Sequence, residues 1–200
     1  MGTVGNKTSG GGRKRRIGRV ATLSQSLSFD NDLAALAFMN ANYPSRIPYK
    51  ASESIYLYTS NQNGMYAAIN KVLRQGGTLP RQRQEVLDGL DAAFELDSSV
   101  LQHNLTVYRG FGDYSQKMAG LQAGDTFTDN GFVSTSVLPS LTWGDTRLVE
   151  IRVKPGTRAV WAAPHAIQPN EGELIINRGS RFRVVASATN TSPMVLEVLS

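Results

Sequence analysis

The chain has 200 residues with 40% hydrophobic composition and a formal net charge of +5, which suits a single globular domain with a proper core. The absence of cysteine excludes disulfides, thiolate catalysis and cysteine-based metal sites, and two histidines are too few for a multi-histidine centre. No apolar run reaches 18 residues, so no membrane-spanning segment is expected.

The positive charge is concentrated at the N-terminus. Residues 1–20 contain six of the 21 Lys and Arg residues and no acidic residue, which leaves 15 positive against 16 acidic residues for the remainder. We predict that residues 1–24 form a flexible basic segment and that residues 25–200 form one domain. The basic residues are not followed by an apolar core, so no standard secretory signal is expected.

Helical patterns fill the first half of the domain. Apolar spacing predicts helices over 30–40, with Asp30 as candidate cap, over 51–60, over 64–75, and from Pro80 to Phe94. After residue 104 the segments become short and β-branched. Strands are predicted over 105–109, 131–135, 148–153, 157–162, 173–177, 181–187 and 194–198. Helices followed by strands, without alternation, predict an α+β fold with a helical N-terminal part and a β core of two packed sheets.

Three motifs stand at the edges of these strands. They are Tyr108-Arg109-Gly110, the segment 131–136 (GFVSTS) and the segment 170–176 (NEGELII). Each alone has an ordinary interpretation, as a surface arginine, as strand hydroxyls bonded to nearby backbone, or as a solvated pair of carboxylates. Together they place an arginine, a serine and a Glu-x-Glu pair where they can converge on one cleft.

This combination of residue types suits glycosyl transfer. A fixed carboxylate stabilises the positive charge that develops at an anomeric carbon, and two carboxylates held close together, at Glu171 and Glu173, hint at a use. An arginine guanidinium binds phosphate and ribose oxygens and stays charged. The residues alone therefore indicate a phosphorylated glycosyl donor.

The segment from about 50 to 187 resembles the R-S-E mono-ADP-ribosyltransferases, in the Glu-x-Glu branch typical of arginine-modifying bacterial toxins and effectors. The resemblance rests on the three motifs, on the segment 148–159 (LVEIRVKPGTRA), and on Tyr58-Thr59-Ser60 with 69–74 (INKVLR), which are similar to the helix that closes over NAD. It implies NAD as co-substrate, held in a cleft between the two sheets, and no metal.

The resemblance also implies residue roles. Glu173 would bind the nicotinamide-ribose hydroxyl and stabilise the oxocarbenium, and Glu171 would position the target guanidinium and take its proton. Arg109 would hold phosphate and ribose oxygens, Ser134 would orient Glu173, and Gly110 would offer backbone to the nicotinamide amide. Further NAD contacts are expected from Thr135, Ser136, Asn70, Arg74 and Trp143, and the turn 163–170 should contact the target.

The expected function is transfer of ADP-ribose from NAD to arginine of a target protein, by a virulence toxin or effector that is secreted or translocated into another cell. An inhibitor (immunity) protein in the producing cell is a further hypothesis. Three alternatives stay open: an NAD glycohydrolase, a transferase acting on nucleic acid, and a non-catalytic binding module on the same fold. Because the charge outside the basic segment is near zero, nucleic acid is the less favoured partner.

Overall fold

The computed structural model describes residues 26–29, 31–43, 46–60, 62–110, 118, 120–138, 140, 148–189 and 192–199. The predicted basic segment 1–24 and Trp143 lie outside these ranges. In the described part, four α-helices precede eight β-strands along the chain. The predicted α+β class, with a helical N-terminal part and a β core, is therefore confirmed.

The four helices follow the predicted apolar patterns closely. They are α1 (Asp32–Asn42), α2 (Tyr49–Thr59), α3 (Met65–Gln75) and α4 (Arg81–Phe94). The cap of α1 differs from the prediction, because the Asn31 side chain accepts the Ala34 N–H at 2.9 Å and the helix begins at Asp32. Helices α2 and α4 approach closely at Gly89, where an added Cβ would lie 2.8 Å from the Ser54 Cβ.

The strands are β1 (Leu105–Gly110), β2 (Thr126–Asp129), β3 (Val133–Ser136), β4 (Leu148–Val153), β5 (Ala159–Trp161), β6 (Glu173–Ile176), β7 (Ser180–Ala186) and β8 (Met194–Leu199). Seven of them match predicted segments. The sequence prediction missed β2, because this strand has four residues, three of them polar, and so lacks an apolar pattern. Strand β2 pairs with β7 at the edge of the sheet.

The eight strands hydrogen-bond in the order β2-β7-β8-β4-β1-β3-β6-β5. Strands β1 and β3 pair at one position, Tyr108 opposite Ser136. This narrow junction divides the sheet into a five-stranded section, ending at β1, and a three-stranded section of β3, β6 and β5. The two predicted sheets therefore occur as two sections of one continuous sheet.

Two hydrophobic cores hold these sections in place. One contains side chains from both sections, including Val107, Ile151 and Leu174, together with Ala35 and Met39 of α1. The other packs α2, α3 and α4 against the opposite face of the three-stranded section, with contributions from Phe132, Val160 and Ile175. Alternate residues of β6 thus enter different cores, as the two-residue period of a strand requires.

Helix length and composition decide whether a helix can cross a membrane. The longest of the described helices, α4, has 14 residues. Across the described part of the chain, no helix combines the length and the apolar character needed to cross a bilayer.

Candidate active site

The three sequence motifs meet at the junction of the two sheet sections. Strand β1 carries Arg109, and β3 carries Ser134. In the register of the sheet, Tyr108 lies opposite Ser136, and Ser136 lies opposite Glu173, the first residue of β6. Pairing of these three strands therefore brings Arg109, Ser134 and Glu173 into one site, as predicted.

Arg109 is fixed by the backbone of β3. Its Nη1 donates to the Ser134 carbonyl oxygen at 2.6 Å. The positive charge of Arg109 also lies near enough to Glu173 and Tyr58 to lower the pKa of both. Gly110, the residue predicted to offer backbone to the ligand, follows directly and is the last residue of β1, opposite Leu148.

Glu173 is a partly buried carboxyl group with an altered acidity. The pKa of Glu173 is raised to about 7, and burial of the carboxyl group is the dominant cause. A hydrogen bond from Ser134 and the positive charge of Arg109 lower this pKa, whereas the negative charge of Glu171 raises it further. A carboxyl group with a pKa near neutrality, close to a serine and to a positive charge, is typical of a functional site.

Glu171 lies on a short 3₁₀ turn, Pro169–Glu171, directly before β6. Gly172 then adopts a left-handed conformation, with φ of 59°, which favours glycine between the two carboxylates. The Glu171 carbonyl accepts the Ser136 hydroxyl at 3.0 Å. The Glu171 Oε1 atom is buried and has no hydrogen-bond partner among the described residues. An acceptor held in this state is suited to a donor supplied by a substrate.

The hydroxyls of Thr135 and Ser136, both predicted ligand contacts, bond to backbone. Thr135 Oγ1 donates to the Leu174 carbonyl at 2.6 Å, and both residues are buried. Together with the bond from Ser136 to Glu171, this contact fastens β3 to the segment that carries both carboxylates. Direct contact of either hydroxyl with NAD stays a prediction.

Asn70 and Arg74 of α3 form hydrogen bonds with the segment that precedes β3. The Asn70 side chain accepts from the Phe132 N–H at 2.8 Å. Arg74 forms a bidentate ion pair with the fully buried Asp129, with N–O distances of 2.8 and 3.0 Å. Arg74 also donates to the Phe132 carbonyl oxygen at 3.4 Å. Gly131 is required here, since an added Cβ would lie 2.8 Å from both Arg74 Nε and Asn70 Oδ1. Contact of Asn70 or Arg74 with NAD stays a prediction.

Sequence reasoning placed Tyr58 in a segment similar to the helix that closes over NAD, but it assigned this residue no role in the site. This residue of α2 is 1% exposed, its hydroxyl accepts from Asn70 Nδ2 at 2.8 Å, and burial raises its pKa far above the usual value. A signal was present in the sequence. Tyr58 falls on the same buried helical face as Ala51, Ser54 and Ile55, and a buried tyrosine hydroxyl requires a polar partner.

The turn between β5 and β6 ends with Glu171. His165 Nδ1 and the Ser52 hydroxyl of α2 are 2.8 Å apart, which ties this turn to the helix that carries Tyr58. Beside the turn lies a surface cavity of about 410 Å³, lined in part by Trp161, Pro164 and Pro169. This cavity does not contain Arg109, Ser134 or Glu173. In the described residues, no three His, Asp or Glu side chains are grouped to hold a metal ion.

The raised pKa of Glu173 has a consequence for stability. Below pH 4.5 the group is protonated in both the folded and the unfolded chain, whereas above about pH 7 folding holds a buried anion. Relative to wild type, Glu173→Gln should therefore gain on the order of 2 kcal/mol in unfolding free energy between pH 4 and pH 8. Urea unfolding at both pH values measures this gain. The exposed Glu95→Gln serves as control, and an equal difference at both pH values would contradict the expectation.

Comparison with known proteins agrees with this geometry. The ADP-ribosyltransferase exoenzyme family matches residues 39–198. Exoenzyme T of Pseudomonas aeruginosa is 27% identical over 154 residues, which cover 76% of this chain and 33% of that protein. The chain thus spans about a third of the length of this relative.

Two solved structures share the fold. The structure of C3stau2 from S. aureus with NAD has a TM-score of 0.68 and 18% identity, and the alignment covers 88% of this chain and 98% of that one. The ADP-ribosyltransferase Vis in complex with agmatine has a TM-score of 0.59 and 17% identity, with 84% and 83% covered. The family match, which spans most of the chain, confirms the resemblance indicated by the three motifs. The chain belongs to the ADP-ribosyltransferase exoenzyme family.

Proposed function

We propose that this protein transfers ADP-ribose from NAD to an arginine side chain of a target protein and releases nicotinamide. One observation carries the proposal most directly. A partly buried Glu173, close to Ser134 and Arg109, lies two residues from a second carboxylate with a buried oxygen that no described residue satisfies. The first carboxylate suits the donor, and the second suits a cationic acceptor.

The donor half of the site suits NAD. Arg109 supplies a permanent positive charge for phosphate or ribose oxygens, and Glu173 supplies a negative charge for the cationic ribose carbon. In the proposed step the bond between C1′ and the nicotinamide nitrogen breaks, and its electron pair leaves with nicotinamide, which departs neutral. Family membership supports this donor, as does a solved relative of the same fold with NAD.

The acceptor half of the site suits a guanidinium group. As the arginine nitrogen bonds to C1′, it must lose a proton, although a guanidinium has a pKa above about 12. Glu171 is placed to receive that proton as the new bond forms, and the buried Oε1 provides the free acceptor. The complex of the similar-fold protein Vis with agmatine, a guanidinium compound, supports an arginine acceptor.

We further infer that the protein is a toxin or effector that acts on a target protein after delivery into another cell. The similarity to Exoenzyme T supports this biological role. An enzyme that consumes NAD and modifies proteins endangers the cell that makes it, so a dedicated inhibitor protein in the producing cell follows from the same proposal.

Mass spectrometry of a lysate from a target cell, incubated with the protein and NAD, tests the proposed function. We expect a mass increase of one ADP-ribose on arginine residues of a defined protein, and no such adduct with Glu173→Gln. Free nicotinamide without a protein adduct would instead establish a glycohydrolase. Adducts on nucleic acid would establish the second alternative, and absence of both products with confirmed NAD binding would indicate a binding module.

A further inference from the structure

The connection between β5 and β6 contains two short 3₁₀ turns, which are held by different parts of the fold. The first turn is Ala163–His165 and the second is Pro169–Glu171. A side-chain hydrogen bond attaches the first turn to α2, because His165 Nδ1 and the Ser52 hydroxyl lie 2.8 Å apart. A serine hydroxyl can donate or accept, so this bond forms with either tautomer of the neutral imidazole.

The second 3₁₀ turn is attached to the end of β3. The Glu171 carbonyl accepts the Ser136 hydroxyl at 3.0 Å, and the Gly172 carbonyl accepts the Val137 N–H, also at 3.0 Å. Both bonds involve the backbone at or next to the residue that carries the carboxylate. They therefore hold Glu171 by a route that does not pass through α2 or the first turn.

Exposed side chains precede Glu171 along this connection. Pro164 and Gln168 are exposed, and Ile167 presents a large apolar side chain that is 41% exposed. A protein that brings an arginine to Glu171 must lie against the surface that surrounds this residue, and the connection leads directly to it. Pro164 also lines the cavity of about 410 Å³, together with Leu36 of α1, so the position of the first turn affects the shape of this surface.

We propose that Ser52 is a positioning residue for the target protein, because through His165 it holds the first turn where that protein docks. The inference rests on the proposed function, since it requires an arginine acceptor that belongs to a protein. It assigns docking of the target protein to the part held by α2, and chemistry at the guanidinium to the part held by β3. A small guanidinium compound needs only the second part.

Amide hydrogen exchange, measured by NMR in the protein without ligand, tests whether Ser52 holds the first turn. The His165 and Ala166 N–H groups donate to carbonyls within or next to this turn. In Ser52→Ala they should exchange about three to ten times faster, the range expected from loss of one hydrogen bond, while the Val137 N–H should exchange as in wild type. Alanine favours a helix more than serine does, so α2 should stay intact. Unchanged exchange at His165 and Ala166 would overturn the proposal.

Transfer to two acceptors, both measured with labelled NAD at saturation, tests the role of Ser52 towards the target. The acceptors are agmatine and the proteins of a target-cell lysate. In Ser52→Ala, labelling of the lysate protein should fall about three- to tenfold, because the docking surface is no longer fixed. Transfer to agmatine, and NAD hydrolysis without any acceptor, should both stay within about twofold of wild type. Equal losses with agmatine and with the lysate protein, or no loss with either, would overturn the proposal.

Two substitutions serve as controls for Ser52→Ala. Ser52→Thr retains a hydroxyl and should restore most of the labelling of the lysate protein. Ser180→Ala removes a partly buried hydroxyl that donates to the Asn177 carbonyl at 2.6 Å, outside this connection, and should leave both acceptors unaffected.

A double-substitution cycle tests whether Ser52 acts through His165. His165→Ala should lower labelling of the lysate protein at least as far as Ser52→Ala, and adding Ser52→Ala to it should cause no further loss. Additive losses would show that Ser52 acts by another route and would overturn the proposal. If wild type modifies neither acceptor, the proposed function fails, whereas the exchange measurement still decides whether Ser52 holds the first turn.

Discussion

Replacing Glu173 with glutamine is expected to lower the rate of ADP-ribosyl transfer by on the order of 10²-fold or more. The substitution keeps the shape of the side chain and removes the negative charge that opposes the cation developing at the ribose carbon. Because this charge acts in a partly buried site, bulk water cannot replace it. Release of nicotinamide should fall by a similar factor, since both transfer and hydrolysis begin with the same bond cleavage.

Nicotinamide release and adduct formation, measured at pH 8 where wild-type Glu173 is ionised, check this prediction. Glu95→Gln is the control for the removal of one acidic charge, because Glu95 is exposed at the end of α4. Urea unfolding of Glu173→Gln at pH 8 shows whether the variant is folded under the conditions of the activity measurement. A glutamine variant within about threefold of wild type would mean that Glu173 does not stabilise the transition state.

The residues at the centre of the site could be predicted because each belongs to a short motif with its own local pattern. Arg109, Ser134 and Glu173 each lie at or near the end of a strand that the sequence indicates, and neighbouring strands bring such positions together. The fold class followed from the change of periodicity near residue 104. These features depend on local sequence, which is available without knowledge of the tertiary structure.

The supporting residues could not be predicted in the same way, because their partners are distant in sequence. Asn70 bonds Phe132, 62 positions away, and Arg74 pairs with Asp129, 55 positions away. The polar strand β2, which carries Asp129, has no apolar pattern to reveal it. No local signal in the sequence shows that α3 is fastened to the start of β3, or that Tyr58 of α2 accepts a hydrogen bond from Asn70.

Replacing Glu171 with glutamine is expected to separate two activities that Glu173→Gln reduces together. Transfer to arginine should fall by at least about 10²-fold, because the guanidinium loses the group that receives its proton. NAD hydrolysis should stay within about threefold of wild type, since bond cleavage at the ribose depends on Glu173 and Arg109. Nicotinamide release and arginine adducts, measured in one reaction, provide both rates on the same protein sample.

The surroundings of Glu171 make Glu171→Gln a specific test of the proposed role of this carboxylate towards the target arginine. The Glu171 side chain presents a buried oxygen with no described partner, so conversion to the amide breaks no described hydrogen bond of Oε1 and should leave the fold intact. The turn is held by backbone, through the Ser136 hydroxyl on the Glu171 carbonyl at 3.0 Å, and this contact survives the substitution. Glu171→Asp, which retains a carboxylate on a shorter side chain, should recover part of the transfer. Equal loss of transfer and hydrolysis in Glu171→Gln would refute the division of roles between the two carboxylates.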